Sequence, residues 1–284
     1  MLRTPRVAIV GSGSLATFLA SVLRKSGYTI TEIISRDSAR SRQRARRVAA
    51  KVGARAVTTQ SATLEAALLW FCVPDREVRS AAASLSVRAR GRVRFAFHSS
   101  GALTSHELDS LRKAGTAIAS VHPLMTFVPG SHPSLGGVPF AVEGDAAATR
   151  IARRIVRDLG GDSFGLPAAR KAAYHTWATL TSPLFLAFLV TLEEVARAAG
   201  LTRAGSRRKS LPIIRQTLEN YSRLGPRHSF SGPIIRGDLE TVAKHLVVLR
   251  KYPEARAVYV ALARSALRRL PVKNRKELRK LLQD

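Results

Sequence analysis

Arg6-Val7-Ala8-Ile9-Val10-Gly11-Ser12-Gly13-Ser14-Leu15-Ala16 decides the fold of this chain. A short apolar run meets two glycines and passes into a helical pattern. That is a strand, a tight turn and a helix opening, the arrangement that receives dinucleotide pyrophosphates. Gly11 allows the sharp turn, Gly13 lets backbone approach a phosphate, and Ala16 lets the helix pack on the strand. The free N–H groups of Ser12, Gly13, Ser14 and Leu15 then face the anion.

The residues downstream agree. Leu15, Phe18, Leu19, Val22 and Leu23 form a helical stripe that Gly27 ends. Tyr28–Ile34 is a β-branched strand. Further strands are expected at 54–58, 68–73, 93–97 and 116–121, with edge strands at 139–142 and 162–164. Helices are expected between them at 38–52, 77–85, 104–114 and 145–159. Such alternation specifies a doubly wound parallel sheet. After Pro167 no strand pattern remains. One long helix is expected over 168–199, bent at Pro183. Another follows from a Ser210 cap to Leu224, a third over 239–252 behind an Asp238 cap, a fourth from Pro253 to Leu270, and a short one at 275–282. The organisation is an α/β domain over 1–166 and an all-helical domain over 167–284.

The 284 residues exceed one typical core, which supports two domains. The single cysteine, Cys72, excludes an internal disulfide framework and fits a reducing cytoplasm. No signal peptide is visible, and the apolar stretch 180–190 is too short to cross a bilayer, so a soluble cytoplasmic protein is expected. A formal charge of +28 raises the question of nucleic acid. The basic residues are spread along the chain without a motif, tail or basic-aromatic interleaving. That argues against specific nucleic-acid binding and predicts loose polyanion adhesion at low salt. No paired His, Cys or Asp spacing suggests a metal.

In an open α/β sheet, ligands bind beyond the carboxyl ends of the strands. Gly11–Ser14, Ser35-Arg36, Val73-Pro74-Asp75 and His98-Ser99-Ser100 all fall there, with Cys72, Val73 and Pro74 placed at the cofactor. An acid at the end of the second strand would favour NAD. The chain has Ser35 and Arg36, which suit a 2′-phosphate, with Arg40 and Arg42 just beyond, so NADP is favoured over NAD. Asp37 reads as a helix cap. Cys72 itself reads as a small buried hydrophobe. His98 and Ser99 are placed at the cofactor, Ser100 and Gly101 at the substrate; a strand-end turn stabilised by serine hydroxyls is the other reading. His122-Pro123 reads as structural. No G-x-S-x-G elbow supports a hydrolase.

These stretches occur in order with Phe140–Asp145, Lys171-Ala172-Ala173-Tyr174-His175 and Ser231-Gly232-Pro233-Ile234-Ile235-Arg236-Gly237-Asp238. Together they resemble the Rossmann-like proteins that carry a DUF2520 C-terminal domain, over nearly the whole chain. That family is similar to the 6-phosphogluconate dehydrogenase C-terminal-like oxidoreductases. The resemblance implies an NADP-dependent reductase of a small 2-oxo or imino acid, ketopantoate among the candidates, and a homodimer through the helical domain. The chain departs from the family pattern at Thr181-Ser182-Pro183, where a side-chain amide is missing.

Hydride transfer needs a proton donor beside the nicotinamide. Lys171 and His175, four residues apart on one helix face, are the candidates: Lys171 as general acid, His175 orienting substrate or relaying the proton. A surface lysine and a structural histidine are the alternative. Ser231 and Arg236 are placed at the substrate, Arg236 as a carboxylate clamp. Asp238 is placed with them, or caps its helix while Arg236 pairs with it. A non-catalytic NADP-binding sensor is the competing function.

Overall fold

The computed structural model describes residues 5–131 and 133–283. The chain divides into two compact units, residues 1–179 and 180–284.

The first unit is built on eight strands: β1 (Val7–Val10), β2 (Ile30–Ser35), β3 (Arg55–Thr58), β4 (Leu68–Phe71), β5 (Phe95–His98), β6 (Ala117–Pro123), β7 (Pro139–Gly144) and β8 (Asp162–Gly165). Their order across the sheet is β3-β2-β1-β4-β5-β6-β7-β8. All neighbours are parallel except β6 and β7. Both faces of the central strands are buried, as their unbroken apolar sequences require. Helices α1 (Ser14–Lys25), α2 (Ala39–Val52) and α5 (Ala146–Asp158) contribute to one core, with Trp70 and Phe97 stacked edge to face at 5.4 Å. On the other side Leu69, Phe71 and Ala96 pack with Val78, Ala82 and Leu85 of α3 (Asp75–Ala89) and Leu111 of the short α4 (Asp109–Lys113). β1 has β2 on one side and β4 on the other. The chain reverses winding there, which opens a crevice beyond the carboxyl ends of those strands.

One buried charge departs from the apolar pattern. Glu32, fully enclosed in β2, accepts from Arg55, from the N–H and hydroxyl of Thr63, and from the N–H of Leu64. Its carboxylate thereby braces the loop that follows β3.

The 3-10 turn at Ala168–Arg170 leads into α6 (Lys171–Thr181), whose residues through Thr179 belong to the first unit. The single bent helix expected over 168–199 is two helices. Ser182 leaves helical geometry (φ −123°, ψ −72°), and Pro183 opens α7 (Pro183–Ala198), because proline suits the first helical turn and breaks an interior.

The second unit continues with α8 (Arg203–Ser229), α9 (Pro233–Arg236), α10 (Leu239–Leu249), α11 (Pro253–Arg269) and α12 (Arg275–Leu281). Its core gathers Val242, Leu246, Val260, Ala263, Leu267, Val272 and Leu278. The bounds of α8 differ from the sequence reading. α8 starts at Arg203 because Thr202 caps it, accepting from the N–H of Gly205 at 3.0 Å. Ser210 lies inside the helix and bonds back to the Arg207 carbonyl. α8 also continues past Leu224 through a kink at Gly225.

Candidate functional site

The glycine turn has the geometry its residues require. Gly11 sits at φ +120°, and a methyl group there would lie 2.3 Å from the Cys72 carbonyl oxygen. Its N–H bonds Ile34 O at 2.8 Å, while Cys72 N–H bonds Val10 O at 2.7 Å. The turn is therefore pinned between β2 and β4. Gly13 is extended and forms the N-cap of α1. A methyl group built on it meets nothing within 4 Å. No side chain caps α1, and no acid stands in its first turn. Open space, free N–H groups and the positive end of a helix dipole fit a bound phosphate.

Gly11, Ser12 and Gly13 line one end of a cavity of about 430 Å³, with Cys72, Val73 and Pro74 beside them. Its other end has Ser35, Arg36, Ser41 and Arg44. Arg36 is held by Glu77 of α3 at 2.7 Å. Ser35 donates to the Arg36 carbonyl. The expected Arg42 faces elsewhere, paired with Asp37. Asp37 is not the cap: Ser38 accepts from Ser41 N–H. Arg44 lies two residues beyond Arg42, about 200° around the helix, so the two cannot face the same cavity. The groups present fit the diphosphate and the 2′-phosphate of NADP. Burial raises the Cys72 thiol to about 12, so it is an inert wall.

The second cluster lies at the carboxyl ends of β5 and β6, and α6 closes over it. His98 is fully buried. Its Nε2 donates to Thr104 O at 2.9 Å and its Nδ1 accepts from Ser100 N–H at 3.2 Å, which assigns the tautomer. Burial lowers its pKa to about 4, against the opposing pull of the Thr104 bond. The expected cofactor contact of His98 is corrected: both ring nitrogens are occupied. Ser100 is likewise corrected. Its hydroxyl donates to Asp75 at 2.8 Å and accepts from the N–H groups of Ala102 and Leu103. It shapes the turn and has no capacity left for substrate. Ser99 accepts from Trp70 Nε1 at 2.9 Å, which engages one lone pair of its hydroxyl.

Lys171 is neither a surface lysine nor an open acid. It is 1% exposed. Its ammonium donates to Ser100 O at 2.9 Å and to Ser120 Oγ at 2.5 Å. Burial lowers its pKa to about 8, although Glu143 and Asp75 pull upward. It fastens the turn after β5 to β6 and to the start of α6. Direct proton delivery by Lys171 is corrected to positioning, because its ammonium is enclosed. His175, one turn along, is half-buried. Its ring stands 6.1 Å from that of His122, nearly perpendicular. Both imidazoles abut Gly101: a methyl group there would meet His175 Cδ2 at 2.5 Å and His122 Nε2 at 2.9 Å. His122, read as structural from sequence, thus belongs to the cluster. No local signal marked it, since its partner Tyr174 is remote in sequence.

Ser231, Arg236 and Asp238 belong to the second unit. Ser231 and Arg236 are exposed. Asp238 caps α10, its carboxylate accepting from the N–H of Thr241 at 3.1 Å and its hydroxyl at 2.8 Å. That is the capping half of the alternative, without an Arg236–Asp238 ion pair among the described residues, and it occupies the oxygens expected to meet substrate. Gly237 fits tightly against Lys273 and Asn274. Among the described residues, no three His, Cys, Asp or Glu side chains gather as metal ligands.

Comparison with known proteins agrees with this layout. Residues 6–93 match the family described as NADP oxidoreductase, coenzyme F420-dependent. Residues 138–266 match DUF2520, a domain of unknown function. The nucleotide half is of the NADP oxidoreductase class, with NADP as its cofactor. The two matches, one over each half of the chain, support a Rossmann-like DUF2520 family. No curated protein matches it. Among solved structures, a Bacteroides fragilis protein assigned as an NADP oxidoreductase is 22% identical, with a TM-score of 0.77 over 92% of this chain and 97% of that one. A Thermotoga maritima protein is 24% identical, with a TM-score of 0.70 over 98% of each chain. A reductive aminase from Aspergillus terreus in complex with NADPH is 16% identical, with a TM-score of 0.65 over 94% of each. At these identities the likeness shows the fold.

Proposed function

We propose that the protein is an NADPH-dependent reductase of a small 2-oxo or imino acid. The observation that carries this is the pairing of a fitted NADP cavity with a preorganised imidazole cluster on the same sheet edge. The family match to NADP oxidoreductases supports the reading. Bound NADPH supplies the hydride. Ser14, Leu15 and Ala16 N–H groups hold the diphosphate, and Arg36 and Arg44 the 2′-phosphate. His175, half exposed beside Gly101, gives the proton to the reduced substrate. Lys171 holds the turn that carries Gly101. A sensor without turnover would need the cavity and would give His175, half exposed beside Gly101, no proton to deliver.

Fluorescence titration is expected to show NADPH binding tighter than NADH. Arg44→Ala is expected to weaken NADPH about tenfold, one charge-assisted contact, and leave NADH unchanged. His175→Ala is expected to lower turnover of an active oxo acid at least about 100-fold with NADPH affinity kept. NADPH binding with no turnover over oxo acids and cyclic imines favours the sensor.

The helical unit is expected to self-associate, and the protein to be a soluble cytoplasmic dimer. α7 buries none of its residues, and Leu184, Leu186 and Val190 are at least half exposed. α8 adds exposed Ile213, Leu218 and Tyr221. By length and composition alone, residues 168–198 are apolar enough to cross a membrane, which the stretch 180–190 alone is not. The break at Ser182 interrupts that path. Sedimentation in detergent-free buffer is expected to give a dimer; a monomer, or protein recovered only with detergent, overturns this.

A further inference from the structure

His122 ends up with one nitrogen fixed and the other free. Tyr174 is buried, and among the described residues its hydroxyl has no hydrogen-bond partner but His122, so its O–H is satisfied only by donating there. That hydroxyl lies 2.8 Å from His122 Nδ1. Nδ1 is therefore the acceptor, and the proton of a neutral ring sits on Nε2. Among the described residues, no group takes a hydrogen bond from that Nε2–H. The nitrogen lies against Gly101, beside the half-exposed His175 ring. A side chain larger than hydrogen at position 101 would cover it.

The surroundings keep the ring uncharged. Lys171 and His175 on α6 and His98 on β5 all disfavour a positive His122, and burial does so more strongly, bringing its pKa to about 4. The nearby acids are otherwise engaged: Asp75 by Ser100, Glu143 by the N–H and hydroxyl of Ser105.

We infer that His122 is a fixed, uncharged hydrogen-bond donor to the substrate through Nε2–H, and that it takes a carbonyl or carboxylate oxygen rather than a protonated imine. This rests on the reductase reading and narrows its substrate class. A donor N–H needs a lone pair opposite it. A carbonyl or carboxylate oxygen has one; an iminium nitrogen has none and brings a positive charge toward the Lys171 ammonium. The preferred substrate is then a 2-oxo acid, or an imino acid held by its carboxylate. A simple cyclic imine without an oxygen lacks the recognition element.

Long-range ¹⁵N spectra of the full chain, with His122 assigned by His122→Gln, are the test. The expected spectrum is the neutral Nε2–H tautomer throughout about pH 5.5 to 8, where an ordinary imidazole titrates. Tyr174→Phe is expected to convert it to a mixture of tautomers. An Nδ1–H tautomer, a normal titration, or indifference to Tyr174→Phe overturns the assignment. Two probes then judge the class, each added with and without NADPH: oxamate, a 2-oxo acid mimic that is not reduced, and pyrrolidinium, a mimic of a protonated cyclic imine. Oxamate is expected to shift the Nε2 resonance and pyrrolidinium to leave it. His122→Phe is expected to weaken oxamate about tenfold, the loss of one good hydrogen bond. A response to pyrrolidinium alone, or to neither probe, overturns the class. Failure of NADPH to bind removes the reductase reading instead, and the tautomer spectra are independent of that result.

Discussion

Gly11→Ala is expected to destabilise the first unit, whereas Gly13→Ala is expected to leave it folded and remove NADPH binding. The two glycines stand two residues apart and do different physical work. At Gly11 the backbone is at φ +120°, a region alanine rarely occupies, and its methyl would overlap the Cys72 carbonyl at 2.3 Å. That carbonyl cannot retreat, because Cys72 N–H is bonded to Val10 O and β4 is paired with β1 along its length. Strain and overlap together cost at least about 3 kcal/mol. The melting temperature of a unit this size should fall by about 6–12 °C. Gly13 has ordinary dihedrals and empty space around its absent side chain. A methyl there changes stability by no more than about 1 kcal/mol, the scale of an N-cap substitution. It occupies the approach of the diphosphate, so NADPH affinity should fall at least about 100-fold, roughly 3 kcal/mol. Both tryptophans, Trp70 and Trp177, lie in the first unit, so intrinsic fluorescence reports its unfolding alone. Wild-type NADPH affinity in Gly13→Ala would remove the phosphate from this turn.

The parts of this molecule that local chemistry dictates were readable from the sequence. The glycine turn, the sheet strands and the Asp238 cap depend on residues within a few positions of one another. The same locality explains the misreadings. Thr202 and Ser210 are both competent caps, and the choice is made by packing of the helix they open. Asp37 and Ser38 compete in the same way, and which arginine faces the cofactor cavity is set by the face of α2 that packs on the sheet. The imidazole cluster was only half legible. Lys171 and His175 could be paired by helical spacing, but the Ser100 carbonyl and Ser120 hydroxyl that enclose the lysine come from distant strands. His122 beside Pro123 offered no sign of Tyr174, which reaches it only when α6 folds over β6. Long-range partners, not residue types, separated the reactive groups from the structural ones.

Lys171→Met should expose what that enclosure costs. A lysine with a folded pKa of about 8, against 10.5 unperturbed, is held charged in a place that disfavours charge. Below pH 8 it is protonated in both states, and the folded state bears the whole penalty, about 3 kcal/mol at about 1.4 per pKa unit. Between pH 8 and 10.5 the unfolded chain binds more protons at this site. Stability must therefore rise with pH there, the reverse of the trend for a stabilised cation. Methionine has similar length and no charge, so it removes the penalty but leaves Ser120 Oγ without its donor, a cost of about 1–3 kcal/mol, while Ser100 O keeps the bond from the Ser120 hydroxyl. The neutral-pH stabilities should then differ by no more than about 3 kcal/mol, while the pH dependences diverge. Cys72, Tyr28 and Tyr174, all with raised pKa values, lose stability as pH climbs through the range where they ionise when unfolded. They are common to both proteins and cancel in the difference. Wild type minus Lys171→Met, followed by tryptophan fluorescence, should rise by about 2 kcal/mol from pH 8 to about 9.5. A flat difference would mean that the ammonium is not buried at a cost. Lys171 would then regain its claim to be the exposed proton donor, and His175 would lose that role.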